Sequence, residues 1–278
     1  DPFSEDVQAA DDVFVSPDIR YVREALFQTA KHGGFMAVIG ESGAGKSTLR
    51  RDLIDRIGRE SQPIIVIEPY VLGMEDNDAK GKTMKSAHIA EAIINCMAPL
   101  ESVKPSPEAR FRQVHRVLRD SGRAGQSHVL VIEEAHSLST PTIKHLKRFF
   151  ELEDGFRKLL GIVLIGQPEL KLKLSVNNHE VREVAQRCEL VELPALDAHL
   201  ETYLRFKFGR VGKDLSQVID AGGVQALHDK LTAPASPRGT GTVSLLYPRV
   251  IGNVLTAAVN MAADLGAPIV SADIIREI

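Results

Sequence analysis

The sequence predicts an α/β fold in which a five-stranded parallel sheet, covered by helices on both faces, is followed by a small helical domain. Short apolar runs alternate with helical patterns as far as Leu193, and continuous apolar runs are typical of parallel strands buried on both faces. After Pro194 only helical periodicity remains. We therefore predict an αβα core at residues 1–195 and a helical domain at residues 196–278.

Capping residues and apolar spacing place the elements in order. Serine can cap a helix and proline suits its first position, so Ser16-Pro17 and Thr140-Pro141 indicate helix starts. The expected core elements are a helix from Pro17, a strand at 35–40, a helix with Leu49, Leu53 and Ile57 on one side, a strand at 64–67, helices near 83–97 and 106–119, a strand at 129–132, a helix from Thr140, and strands at 161–166 and 189–193. The second domain is expected to hold helices at 200–208, 224–231 and 248–265, with a Pro/Gly/Ser/Thr-rich loop at 232–241.

The composition excludes some classes of protein. The 278 residues are 44% hydrophobic and 26% charged, which is ordinary for a globular chain. No apolar run approaches the roughly 20 residues that a membrane span needs, and no signal peptide is visible, so we expect a cytoplasmic protein. The chain begins at Asp1, as a fragment would. The net charge of −3 does not indicate nucleic-acid binding by the molecule as a whole and leaves room for a local basic patch.

The stretch GESGAGKS, Gly40 to Ser47, fits the phosphate-loop pattern G-x-x-x-x-G-K-[ST], with a predicted strand before it and a helix after it. Such a loop turns backbone N–H groups toward phosphate oxygens, and the helix presents its positive end to the same anion. Lys46 is expected to reach the β- and γ-phosphates and Ser47 to supply an oxygen to Mg²⁺. The alternative is a glycine-rich turn without chemistry. The predicted nucleotide-binding residues are Gly40, Glu41, Ser42, Gly43, Ala44, Gly45, Lys46, Ser47 and Thr48.

Two glutamates follow the strand VLVI. Mg²⁺ needs a further carboxylate, and in a parallel sheet it should come from the carboxyl end of a strand beside the phosphate loop. We assign Glu133 to the metal and Glu134 to the base that orients the attacking water. The alternative is a pair of solvated surface glutamates. His136 is interpreted as a loop or cap residue.

Together the motifs resemble the AAA+ ATPases, P-loop NTPases with a helical lid. The similar branch includes the transposition regulators (phage Mu B protein, TnsC and TniB) and the secretion ATPase ExeA. The resemblance covers nearly the whole chain and rests on five stretches, GESGAGKSTLRRDL, VLVIEEAHSL, GIVLIGQPEL, VAQRCELVELPAL and YPRVIGNVLTAAVNMA. The family usually has aspartate where Glu133 stands, so we expect this longer side chain to reach Mg²⁺ through a water, with slower turnover than aspartate would give.

The resemblance implies further site residues. Gln167 stands at the sensor position after the fourth core strand, where the family has Asn or Thr. Arg187 stands where the family carries the arginine that reaches a neighbouring subunit's ATP, with Arg182 as second candidate and a surface ion pair as the alternative. Arg249, in LYPRVIGN, matches the second sensor of the lid, or else is a plain surface charge. Phe14, with Val15, is expected near the adenine, or else staples the first helix.

The resemblance to transposition regulators implies an ATPase that assembles with ATP into a ring or filament on double-stranded DNA and regulates a transposase. Backbone-tracking contacts are expected from two clusters, and solvated charged faces are the alternative for both. These clusters are Lys80, Lys82 and Lys85, and Lys144, Lys147 and Arg148. A second hypothesis is an ExeA-like ATPase that assembles envelope machinery without DNA. A third is a scaffold that binds ATP without turnover, which the intact Glu134 disfavours. Oligomer symmetry, target-site preference and the partner's identity stay open.

Overall fold

The structure is a computed structural model that describes residues 2–3, 7, 9–69, 84–175, 178–234 and 242–278. These residues group into two units. One contains Ile19–Gly40 and Leu49–Glu192, and the other contains Asp1–Asp18, Glu41–Thr48 and Leu193–Ile278. We call them the sheet unit and the helical unit. The N-terminal segment and the phosphate loop thus group with the C-terminal residues, and the expected division into domains at residue 195 stays a prediction.

The sheet unit is built on the five parallel strands that the sequence predicts, in the order β2-β3-β6-β1-β7. The strands are β1 (Phe35–Ile39), β2 (Ile64–Ile67), β3 (Ser127–Ile132), β4 (Glu153–Asp154), β5 (Arg157–Lys158), β6 (Gly161–Gly166) and β7 (Glu189–Glu192). Every side chain of β1 and β6 is buried, which explains why these strands read as continuous apolar runs. Because β6 lies between β1 and β3, the carboxyl ends of β3 and β6 are neighbours at the edge from which the phosphate loop departs.

Helices cover this sheet. They are α1 (Pro17–His32), α2 (Lys46–Arg59), α3 (Ser86–Met97), α4 (Pro107–Arg123), α5 (Thr140–Phe150), α6 (Glu169–Lys173) and α7 (Arg182–Ala185). Two serines cap helices that the sequence predicted, since Ser106 Oγ accepts from Ala109 N–H at the start of α4 and Ser139 Oγ from Thr142 N–H at the start of α5. The cap of α5 is therefore one residue earlier than Thr140. The sequence did not predict the short helices α6 and α7.

The helical unit contains α8 (Leu200–Gly209), α9 (Ala221–Leu231), α10 (Pro248–Asp264) and α11 (Ala272–Glu277). Their apolar side chains form a separate core that includes Leu204, Leu227 and Leu255, each fully buried. The expectation of helices alone after Pro194 is wrong at one place. Two short strands pair antiparallel there. Strand β8 (Thr232–Pro234) lies within the loop predicted at 232–241, and β9 (Thr242–Ser244) directly follows that loop. No helix among the described residues is long and apolar enough to cross a membrane.

Candidate active site

The phosphate loop joins β1 to α2 and has the backbone that its glycines permit. Gly43 and Gly45 have φ of +79° and +94°, a region that side chains disfavour. Lys46 begins α2, is 9% exposed, and its Nζ donates to the carbonyl oxygen of Glu41 at 2.9 Å. The first turn of α2 carries no acidic residue, so its N–H groups and positive dipole end are suited to an anion.

Arg249 lies against this loop within the helical unit. Its backbone N–H donates to the carbonyl oxygen of Gly43 at 3.3 Å, and a Cβ added to Gly43 would lie 2.4 Å from the Cβ of Arg249. Arg249 is the second residue of α10, and its side chain is exposed. The structure therefore brings Arg249 to the phosphate loop, and its role as the second sensor stays a prediction.

Glu133 is the first residue after β3 and forms an ion pair with an arginine. Arg50, on α2, places its Nε 3.1 Å from Glu133 Oε2 and its Nη1 2.5 Å from Glu68 Oε1. Burial acts to lower the pKa of Arg50, but its contacts with Glu68 and Glu133 outweigh this effect and raise it. Sequence reasoning missed both Arg50 and Glu68. The position of Glu68 could have been noticed in the sequence, because Glu68 directly follows β2 as Glu133 directly follows β3.

The oxygens of Glu133 and Ser47 are the donor type that Mg²⁺ prefers. Among the described residues there is no group of three or more histidine, cysteine or acidic side chains that could hold a metal ion. Mg²⁺ bound with ATP commonly takes one or two carboxylates, phosphate oxygens and waters, so such a cage is not needed. The residues present therefore fit the ion.

Glu134 has a backbone conformation that is unusual for its residue type. Its φ and ψ are 48° and 34°, in the left-handed region. The carbonyl oxygen of Glu134 accepts from both the backbone N–H of Ser137 at 2.9 Å and the hydroxyl of Ser137 at 2.8 Å, which holds the turn. The Glu134 side chain is 46% exposed. An acid displayed on such a fixed turn is well placed to meet a water molecule.

Gln167 follows β6 and is linked to Glu134 through a histidine. The backbone N–H of Gln167 donates to His136 Nδ1 at 3.4 Å, and His136 Nε2 lies 3.5 Å from Glu134 Oε2. One residue earlier, Gly166 accepts from the N–H of Gly40 at 3.1 Å, which joins the ends of β6 and β1. The predicted base and the predicted sensor therefore lie at one edge of the sheet, with the ring of His136 between them.

Arg187 lies just before β7 and pairs with Glu151. Its Nη1 is 2.5 Å from Glu151 Oε1, and this hydrogen bond is the main reason that the pKa of Glu151 lies below its usual value. Both side chains are more than 40% exposed. The second candidate, Arg182, is exposed at the start of α7. The surface ion pair is thus present in this chain, and the assignment of either arginine to a neighbour's ATP stays a prediction.

Phe14 packs within the helical unit. Its ring centroid is 5.4 Å from that of Tyr203 and 5.7 Å from that of Phe206, both on α8. The next aromatic residue toward the N-terminus, Phe3, makes an edge contact with Phe208 at 5.5 Å. The N-terminal segment therefore contacts α8 through three aromatic pairs. A place for Phe14 beside adenine stays a prediction.

The candidate DNA contacts separate into different environments. Lys144 and Arg148 are exposed, four residues apart on α5, whereas Lys147 pairs with Glu183 and lies 3.7 Å from Glu151. Lys85 is exposed just before α3, and Lys80 and Lys82 lie outside the described residues. Of the second cluster, only Lys144 and Arg148 have no ion pair among the described residues.

Comparison with known proteins identifies relatives of the chain. A family profile described as an AAA domain matches residues 28–174, more than half of the chain. General secretion pathway protein A of Aeromonas hydrophila is 26% identical over 202 residues, which are 70% of this chain and 33% of that protein. The chain thus spans about a third of the length of this curated relative. This match supports the secretion-ATPase side of the resemblance, and the transposition-regulator branch stays a prediction.

Solved structures share the fold at low sequence identity. The Aeropyrum pernix ORC2 protein, in ADPNP–ADP complexes, is 16% identical with a TM-score of 0.58, over 99% of this chain and 69% of that one. Drosophila ORC bound to DNA is 13% identical with a TM-score of 0.59, over 93% of this chain and 58% of that one. These similarities indicate one architecture for the sheet with its flanking helices and the helical C-terminal part.

Proposed function

Because the chain belongs to the AAA domain family, we propose that it binds ATP with Mg²⁺ and hydrolyses it to ADP and phosphate. The observation that carries the proposal is the phosphate loop, with two glycines at positive φ, a buried lysine at the first position of α2 and Arg249 seated on Gly43. An anion at this loop meets backbone N–H groups, an ammonium and a guanidinium together.

The residues have separate tasks in this mechanism. Lys46 leaves its carbonyl partner to bind the β- and γ-phosphates, and Ser47 and Glu133 would hold Mg²⁺, which supplies charge neutralisation at the phosphates when bound. Glu134 orients the attacking water and accepts its proton. Gln167 touches the γ-phosphate or the water, and Arg249 stabilises charge that develops on the phosphate oxygens. Phosphoryl transfer depends mainly on this positioning and charge stabilisation.

The test of the base is Glu134→Gln, which keeps the shape of the side chain and removes its basicity. We expect ATP binding to persist, measured with a fluorescent ATP analogue, and the hydrolysis rate to fall about 10²–10⁴-fold, the range typical of a lost general base. Glu153→Gln, a glutamate on β4 whose side chain is 45% exposed, is the matched control and should hydrolyse ATP. Wild-type turnover in Glu134→Gln would exclude the proposed base.

We also propose that the chain self-assembles and that assembly stimulates hydrolysis. Arg187 supports this, because it is half exposed on the surface of the sheet unit and, among the described residues, its ion pair is with the half-exposed Glu151. In related NTPases an arginine supplied by a neighbour raises the rate by about 10³–10⁵-fold. Release of Arg187 from Glu151 is the step that such assembly requires.

For the assembled ATPase, we propose double-stranded DNA as the partner surface and regulation of a transposase as the role. Lys144 and Arg148 support this proposal, since both are exposed cations without an ion pair among the described residues and share one side of α5. Phosphate contacts of this type bind without sequence preference and weaken with salt. The alternative, an assembly ATPase of envelope machinery, is favoured by the similarity to a secretion-pathway protein.

The two roles are distinguished by fluorescence polarisation of labelled duplex DNA with ATP, with ADP and without nucleotide, across salt concentrations. The DNA role predicts ATP-dependent binding whose logarithm falls linearly with the logarithm of salt. Lys144→Glu and Arg148→Glu should weaken it, while Lys213→Glu, an exposed lysine of the helical unit, serves as control. Absence of ATP-dependent, salt-sensitive binding would exclude the DNA role and leave the envelope role.

A further inference from the structure

We propose that His136 is a positioning residue that orients the carboxylate of Glu134 and couples it to the backbone at Gln167. This proposal rests on the proposed function, in which Glu134 is the base. It assigns a role to a histidine that would otherwise be an ordinary loop residue, and that role depends on which of its two ring nitrogens carries the proton.

The hydrogen bond from Gln167 decides the tautomer of His136. The backbone N–H of Gln167 points at Nδ1 from 3.4 Å, and a nitrogen that accepts a hydrogen bond carries no proton. The proton of the neutral ring is therefore on Nε2. That nitrogen lies 3.5 Å from Glu134 Oε2, close enough for its N–H to reach the carboxylate after a small rotation of either side chain. The ring of His136 thus stands between the end of β6 and the base.

The rest of the turn holds the backbone of His136 in place. Lys173, on α6, donates from Nζ to the carbonyl oxygen of His136 at 2.5 Å and to that of Leu138 at 2.9 Å. Gly166 allows the turn to approach β6, since a Cβ there would lie 3.2 Å from the backbone nitrogen of His136 and 2.9 Å from Leu170 Cδ2. His136 thus sits on a turn that is fixed from both sides.

This arrangement makes the base respond to the sensor strand. Gln167 is the residue expected to meet the γ-phosphate or the water, and a small movement of its backbone changes the hydrogen bond at Nδ1. The ring then turns, and the N–H of Nε2 changes its direction toward Glu134. The carboxylate would be set for catalysis when Gln167 is in place.

Three replacements separate the two ends of the ring. His136→Ala removes both contacts. An asparagine amide reaches about as far as Nδ1, so His136→Asn keeps a partner for Gln167 and loses the contact with Glu134. A glutamine amide reaches about as far as Nε2, so His136→Gln keeps a donor for Glu134. We expect kcat to fall about 10-fold to 100-fold in the alanine and asparagine variants, with substantial recovery in the glutamine variant.

The affinity for ATP should stay unchanged in all three variants, measured with a fluorescent analogue, because His136 acts after binding. The matched control is His145→Ala, which replaces a partly exposed histidine on α5 and should keep kcat. Circular dichroism melting of each variant checks folding. A glutamine variant no better than the asparagine variant, or a loss in ATP affinity rather than in kcat, would overturn the proposal.

A double variant shows whether His136 acts through Glu134. In Glu134→Gln, adding His136→Ala should lower the remaining hydrolysis no further, and an equal loss in both backgrounds would contradict the coupling. Wild-type hydrolysis by Glu134→Gln alone would overturn the proposed base together with this role. A large loss in Glu134→Gln beside an unchanged His136→Ala would overturn the role of His136 alone.

Discussion

Replacing Gly43 by alanine should destabilise the protein more than the same change at Gly45, although both glycines belong to one loop. Both have positive φ, so alanine at either position carries backbone strain of about 1–2 kcal/mol. The surroundings differ. No heavy atom of the described residues lies within 4 Å of a Cβ built on Gly45, whereas a Cβ on Gly43 would lie 2.4 Å from the Cβ of Arg249.

This contact adds an overpacking cost of about 1–3 kcal/mol at Gly43 only. We therefore expect losses in the free energy of unfolding of about 1–2 kcal/mol for Gly45→Ala and about 2–5 kcal/mol for Gly43→Ala. The assay is urea unfolding without nucleotide, followed by circular dichroism, with the slope compared between variants. Equal losses in the two variants would refute the seating of Arg249 on Gly43.

A compensating change makes the test specific to this contact. Arg249→Gly removes the Cβ that the new methyl group would meet and leaves the backbone bond to Gly43 possible. The double variant Gly43→Ala with Arg249→Gly should lose less than the sum of the single changes, by about 1–3 kcal/mol. If the two losses simply add, the methyl group of the alanine does not meet the Cβ of Arg249, and the described contact between Gly43 and Arg249 is wrong.

Three further predictions follow from other parts of the molecule. Arg187→Ala should keep the affinity for ATP and change the free energy of unfolding by no more than about 1 kcal/mol, since exposed ion pairs contribute little. Its rate of hydrolysis should fall, and mixing it with Glu134→Gln subunits should restore part of that rate. No recovery would exclude action of Arg187 in trans. Burial lowers the pKa of His128, so the free energy of unfolding should fall as pH drops below about 6.5, where histidine in the unfolded chain gains its proton first. In a plot of the urea midpoint against pH, His128→Gln should flatten this part of the curve. An unchanged slope would exclude His128 as its source. Burial raises the pKa of the Cys188 thiol to about 12. A thiol reagent at pH 8 should therefore label the exposed Cys96 and leave Cys188 unlabelled in the native protein, which mass spectrometry can check. Rapid labelling of Cys188 would contradict its burial.

The sheet and its helices were predictable because each strand carries its own signal. Runs such as FMAVI and GIVLIG are apolar at every position and stand between turn residues, and the phosphate loop fixes the strand before it. The pairs β4–β5 and β8–β9 were missed because strands of two or three residues are too short to show a period. Gly155, at φ +65°, is the one local sign of the first hairpin.

The roles of the site residues stay predictions, but some of their positions could be predicted. The positions of Glu133 and Glu134 follow from the sequence, because both come directly after a parallel strand and so lie at the carboxyl edge of the sheet. The partners Arg50 and Glu151 do not, because each comes from another element that only the fold brings close. From the sequence, His136 is interpreted as a loop or cap residue. Only the pairing of β3 with β6 brings its ring to the backbone N–H of Gln167.

Two residues assigned to catalysis are held by ion pairs in the chain as it stands, Glu133 by Arg50 and Arg187 by Glu151. These pairs do not oppose the assigned roles. Partly exposed pairs of this kind contribute about 0–1 kcal/mol, because water screens the charges and ordering two long side chains costs entropy. A nucleotide bound at a Kd of 1 μM supplies about 8 kcal/mol, which exceeds the cost of breaking either pair. The pairs can therefore hold both side chains until ATP with Mg²⁺ recruits Glu133 and a neighbouring subunit recruits Arg187, and hydrolysis would then require both events.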